Sequence, residues 1–173
     1  MSARRSESHT SKRWVGGFAS GLLALWLTAC AAPVERPPEG DARPQRIVSM
    51  DYCADQYVLK FANPAQIVAL SRDAGRDFSY MREAAAGFPT VRATATEDVL
   101  ALQPDLVVRS YGGGPNAAGF LERAGVRVHQ IGWGDDYEAV RGNVRAAAAA
   151  MGQEDKGEAV VAEFDARLKA LQD

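Results

Sequence analysis

The sequence predicts an α/β fold, a doubly wound and mostly parallel sheet, and three observations carry this prediction. In the stretch 94–111, a short helical pattern ends at Pro104, which lacks an amide proton, and the apolar run 106–108 follows as a strand. A glycine-rich turn at 112–115 then passes straight into another helical pattern. The same alternation recurs on both sides of this stretch. Strands that pass into helices in this way belong to a parallel sheet that is covered on both faces.

The remaining segments follow the same alternation in order. Short apolar runs predict strands at 47–50, 67–70, 106–108 and 126–131. Helical spacing of apolar residues predicts helices at 51–62, 78–86, 116–124, 136–151 and 154–173, besides the short helix that opens the central stretch. For that short helix, Thr94 and Glu97 have the spacing of a capping box. Gly125 and Gly152 are predicted to end the helices before them.

The segment 154–173 differs from the others because charged pairs accompany its apolar stripe. The stripe consists of Val160, Val161, Phe164, Leu168 and Leu171. Two i,i+4 ion pairs are predicted on the other faces, Glu163 with Arg167 and Asp165 with Lys169. The sequence stops while this helix is still running, although the alternation predicts a further strand.

The first 45 residues are predicted to lie outside the fold. Residues 1–29 combine a basic start with an uncharged run from Trp14 to Ala29, which is shorter than the roughly 20 residues of a membrane-spanning helix. We therefore expect a secretory signal peptide. Residues 30–45 contain four prolines and no apolar periodicity, which is typical of a tether. The folded domain is expected at 46–152, and a helix that continues past the domain is expected at 153–173.

The end of the predicted signal peptide carries a resemblance of its own. Leu27-Thr28-Ala29-Cys30 resembles the lipobox of bacterial lipoproteins, which implies that Cys30 becomes the acylated first residue of the mature chain. A plain signal peptide that is cut nearby, with an incidental Cys30, is the alternative. Either interpretation implies export, and the first implies membrane attachment through a lipid anchor only.

Charge and cysteine content exclude several classes of function. Residues 1–29 contain four basic groups and one acidic group, so the formal charge falls from −2 for the whole chain to −5 from Cys30 onward. An acidic domain without a Lys/Arg cluster does not neutralise phosphates, and we expect no nucleic-acid partner. Cys53 is then the one free thiol candidate, and a single cysteine excludes an internal disulfide framework. It is expected to be packed as a small apolar residue.

Catalytic and metal-ligating patterns are scarce. The two histidines are His9, in the predicted signal peptide, and His129, in a strand pattern, so neither a triad nor a multi-histidine metal site can be assembled. We predict no catalytic residues, no metal ligands and no cofactor. One enzymatic alternative stays open, because Gly-Gly-Gly-Pro-Asn-Ala at 112–117 fits a dinucleotide fingerprint, with Asp135 and Asp136 downstream.

Four segments, taken together, carry a family resemblance. They are Arg-Ile-Val-Ser at 46–49, Ile-Val-Ala-Leu-Ser at 67–71, Thr-Glu-Asp-Val-Leu-Ala-Leu-Gln-Pro-Asp-Leu-Val at 96–107 and Leu-Glu-Arg-Ala-Gly-Val-Arg-Val at 121–128. Their order and spacing resemble the amino-terminal lobe of the ABC-transporter solute-binding proteins for cobalamin, ferric siderophores and heme. The resemblance implies two α/β lobes joined by a long helix, with the ligand between them. It assigns 46–152 to the first lobe and 153–173 to the start of the joining helix.

The resemblance implies capture of a metal chelate or corrinoid and its delivery to an ABC permease in the inner membrane. The second lobe has no counterpart in the sequence, so we expect a fragment of a longer protein. A solitary lobe that serves as a lipoprotein scaffold is a further alternative. The expected location is the periplasm or the cell surface.

The family places its ligand at the carboxyl ends of the strands, where open parallel sheets generally bind. In this sequence the predicted ligand-binding residues there are Asp51, Tyr52, Arg72, Arg76, Arg92, Ser110, Tyr111 and Trp133. Aromatic rings can lie against a flat macrocycle, and arginines can answer an anionic chelate. Tyr52 and Tyr111 are the preferred candidates. The heme-binding branch usually offers a tyrosine ligand where this sequence has Val-Arg-Ala at 91–93, which disfavours heme.

The resemblance also singles out Glu97. It occupies the place where the family's lobe presents a glutamate to arginines of the permease. The alternative is the capping box with Thr94, and the two roles are compatible because a capped first turn is a rigid place to hold a charge.

Overall fold

The computed structural model describes residues 43–92 and 95–172. Within them lie four parallel strands, β1 (Ile47–Ser49), β2 (Ile67–Ala69), β3 (Leu106–Arg109) and β4 (Arg127–Gln130), in the order β2-β1-β3-β4. A parallel bridge between Leu70 and Thr90 extends the pairing beyond β2. The two central strands, β1 and β3, are buried along their whole length because helices cover both sides of the sheet, whereas the edge strand β4 is exposed at Arg127 and Gln130. The predicted α/β class with a parallel sheet is confirmed.

Five α-helices alternate with these strands. They are α1 (Tyr52–Phe61), α2 (Thr96–Ala101), α3 (Ala117–Arg123), α4 (Tyr137–Ala150) and α5 (Glu154–Ala170). A 3-10 turn at Pro64–Gln66 leads from α1 into β2. Gly125 and Gly152 adopt φ angles of 82° and 67°, the left-handed conformation that ends helices, so both predicted helix stops are confirmed.

The core lies on the two faces of the sheet. Leu106 and Val108 of β3 belong to a cluster that includes Val58 and Phe61 of α1 and Ala147 and Ala148 of α4. Val107, which points the other way, belongs to a second cluster with Val99 of α2 and Leu121 of α3. Each side chain of this central strand is therefore buried, which is why the predicted strand was a continuous apolar run.

The predicted helix at 78–86 is wrong. This segment is a series of turns in which most hydrogen bonds span three residues, as from the amide of Ser79 to the carbonyl of Arg76 at 2.8 Å, and a single bond, from Ala85 to Met81 at 3.0 Å, has helical spacing. Of the residues 78–86, Ser79 and Ala85 are buried. A short helix needs an apolar face against the core, and this segment has none.

The predicted capping box is also wrong. Helix α2 begins at Thr96 with Ala95 as its N-cap residue, and no side chain caps it. Thr94 lies outside the described residues. Glu97 is the second helical residue, and its carboxylate accepts a hydrogen bond from the hydroxyl of Thr96 at 3.3 Å. The side chain of Glu97 is exposed.

Helices α4 and α5 form an antiparallel pair joined by charged and aromatic contacts. Arg141 pairs with Asp165 at 2.6 Å and lies 5.5 Å from the ring centroid of Phe164. The predicted Asp165–Lys169 pair is therefore wrong, because tertiary contact with α4 recruits the carboxylate. The predicted pair of Glu163 with Arg167 is confirmed at 2.5 Å.

The predicted signal peptide, Cys30 and most of the tether lie outside the described residues. The end of the tether already contacts the domain, since the carbonyl of Pro44 accepts from Gln66 at 2.5 Å and the amide of Gln45 donates to Asp105 at 2.7 Å. Among residues 43–92 and 95–172, no helix has the length and apolarity required to cross a membrane.

Candidate functional site

The carboxyl ends of the four strands form one edge of the sheet, because all the strands are parallel. Chain segments beginning at Asp51, Ser71, Ser110 and Ile131 leave this edge. Arg92 joins them, since the amide of its neighbour Val91 donates to the carbonyl of Leu70 at 2.9 Å beside the end of β2. The structure thus brings the predicted ligand-binding residues to one edge, which we call the carboxyl edge.

Asp51 is the structural centre of this edge. One oxygen of its buried carboxylate accepts from the amide of Ala54 at 2.9 Å and caps α1. The other oxygen accepts from three consecutive amides, those of Ser110, Tyr111 and Gly112, at 2.7, 3.1 and 2.9 Å. The carboxylate of Asp51, which was predicted to bind the ligand, therefore accepts hydrogen bonds from four backbone amides. The contact that Asp51 makes here positions the segments that carry Tyr52 and Tyr111.

Gly112 allows this close approach of the β3 loop to β1. A Cβ atom at this position would lie 2.5 Å from the carbonyl oxygen of Met50, inside any real contact distance. Glycine is therefore required by the approach of two backbones, whereas Gly113 and Gly114 serve the turn through φ angles of 77° and 79°.

Three aromatic rings lie together at the carboxyl edge, near Asp51. Tyr52 contacts Phe78 edge-to-face at a centroid distance of 5.1 Å and Tyr111 at 6.0 Å. Phe78 and Tyr111 keep 58% and 54% of their surface exposed, so the rings offer an apolar face to solvent. We call Tyr52, Phe78 and Tyr111 the aromatic cluster. Sequence analysis had placed Phe78 in a helix and missed it as a site residue.

Both tyrosines of the cluster are neutral phenols at physiological pH. Desolvation, and next the negative charge of Asp51, raises the pKa of Tyr111 to about 12. The neighbouring Cys53 is the main cause of a raised pKa at Tyr52. The pKa of the half-buried Cys53 thiol is itself raised by burial, which keeps it protonated and unreactive. The cluster therefore suits stacking and neutral hydrogen bonding.

The predicted arginines lie on segments that leave the β2 end of the carboxyl edge. Arg72, Arg76 and Arg92 are all exposed, and Arg72 makes only a long contact of 3.9 Å with Asp73. Exposed arginines such as these can accept an anionic group in a bidentate contact. The predicted Ser110 is half-buried, and its amide is used by Asp51.

Trp133 stands at the β4 side of the carboxyl edge with 90% of its surface exposed. Its loop is fixed by Asn143 of α4, which accepts from the amide of Gly132 at 3.1 Å and donates to the carbonyl of Gly132 at 2.9 Å. No ring contact joins Trp133 to the aromatic cluster in the described part of the chain. It is thus a separate, rigidly presented aromatic surface on the same edge.

Arg109 is a buried organising residue that sequence analysis missed. Its guanidinium donates to the carbonyls of Gly112 and Gly114 at 2.8 Å each and to the side chain of Gln130 at 2.5 Å. The glycine turn is therefore held from both sides, its amides by Asp51 and its carbonyls by Arg109. An arginine that ends an apolar strand just before a glycine-rich turn was the available signal.

Glu97 lies on the same end of the domain as the carboxyl edge, because α2 must run back toward the start of β3. The side chain is exposed. Within the described residues, no group of three or more His, Cys, Asp or Glu side chains is placed to hold a metal ion.

Several solved structures share this fold along about half of their own length. A periplasmic heme-binding protein from Pseudomonas aeruginosa is 28% identical, with a TM-score of 0.60 over 73% of this chain and 45% of that one. The heme-binding protein BhuT, solved with two hemes, is 29% identical, with a TM-score of 0.57 over 73% and 48%. The vitamin B12-binding protein BtuF of Vibrio cholerae, at 20% identity and a TM-score of 0.58 over 75% and 50%, shows the fold alone.

The chain thus spans about half the length of the solved proteins it matches, in agreement with the single lobe predicted from the sequence. A comparison with curated proteins finds no match. The sequence model of the periplasmic binding protein family matches residues 47–173, which include all four strands and the aromatic cluster. The chain belongs to the periplasmic binding protein family.

Proposed function

We propose that the chain is the substrate-binding lobe of an ABC importer, and that it captures a metal chelate or a tetrapyrrole at its carboxyl edge. The observation that carries this proposal is the exposed aromatic cluster, whose two tyrosines adjoin backbone segments that Asp51 joins by hydrogen bonds. Iron-siderophore and cobalamin ligands follow from the sequence resemblance. Heme returns to the candidates because two relatives above 25% identity are heme-binding proteins.

The chemistry of the edge supports a flat ligand held by its faces and its charged rim. The rings of Tyr52 and Tyr111 suit stacking against a flat ligand, and their phenol groups suit hydrogen bonds to its rim. Arg72, Arg76 and Arg92 suit the propionates of heme or the anionic groups of a ferric siderophore. Because the chain spans about half of its relatives, the complete cleft is proposed for a protein in which a second lobe faces this edge.

The proposed role is binding and not catalysis. The enzymatic alternative depended on the glycine turn at 112–117 as a phosphate cradle. The amide of Gly112, together with those of Ser110 and Tyr111, donates to Asp51, so a carboxylate already occupies the place that a phosphate would need. This arrangement disfavours a dinucleotide at the turn.

Delivery to a membrane permease is proposed through Glu97, whose side chain is exposed. Export and a lipid anchor at Cys30 are proposed from the sequence of residues 1–30. Mass spectrometry of the membrane-extracted protein tests the anchor. An acyl mass on Cys30 supports it, and an intact Met1 start or an unmodified Cys30 contradicts it.

Titration of the purified chain with hemin, cyanocobalamin and a ferric hydroxamate siderophore tests the proposed function. Binding is followed by quenching of Trp133 and tyrosine fluorescence. We expect saturable binding of one probe class and no binding of NAD. Saturable NAD binding without binding of any of the three probes would favour the enzymatic alternative.

A further inference from the structure

The segment 71–82, which we call the 71–82 loop, leaves the carboxyl edge without regular secondary structure and carries two exposed arginines of the predicted site and two exposed aromatic side chains. These are Arg72, Arg76, Phe78 and Tyr80. The loop's own backbone bonds are turn bonds, such as Arg76 to the carbonyl of Asp73 at 3.0 Å. Bonds of this kind close single turns and do not fix a loop of this length on the domain. The position of Phe78 must therefore depend on contacts with other elements.

Gln56 of α1 supplies such contacts in the middle of the loop. Its side-chain oxygen accepts from the backbone amide of Met81 at 3.0 Å, and its side-chain nitrogen donates to the hydroxyl of Ser79 at 3.2 Å. The same nitrogen donates to the carbonyl of Tyr52 at 2.8 Å. Ser79 is fully buried, so its hydroxyl meets Gln56 in a site closed to bulk water. The side-chain amide of Gln56 thus links Tyr52 to Ser79 and Met81, the first and third residues after Phe78.

The preceding residue of α1, Asp55, fixes the start of the loop. Its buried carboxylate accepts from the amide of Ser71 at 2.9 Å and from the hydroxyl of Ser71 at 2.6 Å. The loop therefore has two hydrogen-bonded anchors on consecutive helical residues, one at its first residue and one at residues 79–81, besides the side chain of Ala74, which is buried in the core. Of the two, Gln56 lies next to Phe78, whose ring contacts Tyr52 edge-to-face.

We propose that Gln56 is a positioning residue of the ligand site, which holds Phe78 against Tyr52 and keeps the aromatic cluster assembled before ligand arrives. This inference rests on the proposed function of the carboxyl edge. Gln56 acts through the backbone of the loop and does not itself touch the ligand. A site that is assembled in advance loses less conformational entropy on binding, so removal of the anchor weakens binding without removing any contact surface.

Hydrogen–deuterium exchange of the ligand-free chain tests the anchor directly. Gln56→Met keeps side-chain length and helix propensity but removes all three hydrogen bonds. We expect amide exchange at 78–82 to rise about tenfold, with β3 unchanged. Gln56→Glu keeps an acceptor for Met81 and should restore part of the protection. Lys60→Met, on an exposed position of the same helix, is the matched control and should change neither segment.

Titrations of the same variants with hemin, cyanocobalamin and a ferric hydroxamate siderophore test the consequence. We expect the Kd for the bound probe to rise about tenfold in Gln56→Met, less in Gln56→Glu, and not in Lys60→Met. Unchanged exchange at 78–82 would overturn the anchor, and faster exchange with unchanged affinity would overturn the positioning role. Weaker binding without faster exchange would also overturn it. If the unaltered chain binds none of the three probes while exchange accelerates, the proposed ligand class and the positioning role both fail, and Gln56 is an anchor of the loop only.

Discussion

The carboxylate of Asp51 and the backbone amide of Ser110 lie 2.7 Å apart, and this hydrogen bond joins the end of β1 to the end of β3. The same oxygen also accepts from Tyr111 and Gly112. A residue at the start of one helix thereby sets the backbone of a loop 59 residues further along the chain. These hydrogen bonds set the distance between Tyr52 and Tyr111 at the carboxyl edge.

Asp51→Ala should therefore cost far more than the loss of a helix cap. The change leaves four backbone amides without their acceptor, of which those of Ala54 and Gly112 are buried, and we expect the free energy of unfolding to fall by about 3 kcal/mol. Asp136→Ala is the matched control, because Asp136 caps α4 through Ala139 at 2.7 Å and does nothing else in the described structure. Its expected cost is about 1 kcal/mol. Urea unfolding measures both, and equal costs would show that the bonds to the β3 loop contribute nothing.

Asp55 should give the lobe a measurable pH dependence. Burial raises the pKa of its carboxyl above the ordinary value of 3.8, against the opposing effect of hydrogen bonds from Ser49 and Ser71. The folded state therefore holds this proton more tightly than the unfolded state. The stabilising contribution is fully present below pH 3.8 and is lost as the pH rises through the folded pKa.

Asp55→Asn removes this dependence while keeping a side-chain oxygen for the amide of Ser71. We expect the difference in unfolding free energy, unaltered chain minus variant, to become more negative as the pH rises above about 4. Chemical unfolding at a series of pH values measures it. The exposed Asp155→Asn serves as control, and a difference for Asp55→Asn that is flat with pH, or that rises, would contradict the sign derived from burial.

Elements whose conformation is determined by local sequence were predicted correctly, and the segment that is held by long-range hydrogen bonds was not. The apolar run around Val107 predicted a strand because both faces of that strand are buried. Gly125 predicted a helix end because glycine readily adopts the left-handed conformation found there. The segment around Phe78 was not predictable in this way. Its conformation depends on Gln56 and Asp55, whose bonds cross 15 residues or more and leave no local pattern.

The candidate site shows the same division. Tyr52 and Tyr111 were predicted from their place after apolar strands, which determines the edge of a parallel sheet at which they lie. The hydrogen bonds of Asp51 to backbone amides and of Arg109 to backbone carbonyls were not predictable. A polar residue at a strand end looks the same in the sequence whether its side chain binds a ligand or a neighbouring loop.

Glu97 tests the proposed link to a permease. Glu97→Gln removes the charge from an exposed side chain, so we expect less than about 0.5 kcal/mol of change in stability. Docking on permease-containing membranes should nevertheless weaken for Gln and weaken further for Glu97→Arg. Glu122→Arg, at the end of α3 far from the carboxyl edge, is the control and should dock normally. A Glu97→Arg protein with an unchanged melting temperature and unchanged docking would remove Glu97 from the proposed interface.

The most direct test of the central claim is the affinity of a ligand for the chain with and without its two tyrosines. Tyr52→Ala combined with Tyr111→Ala removes the faces on which a chelate or tetrapyrrole is proposed to stack. We predict that the Kd of whichever probe binds, whether hemin, cyanocobalamin or a ferric siderophore, rises about 100-fold. Tyr137→Ala, whose ring packs on Phe164 at 5.8 Å outside the cluster, should leave it unchanged. Equal affinities of the double variant and the unaltered chain would contradict the claim that this edge binds the ligand.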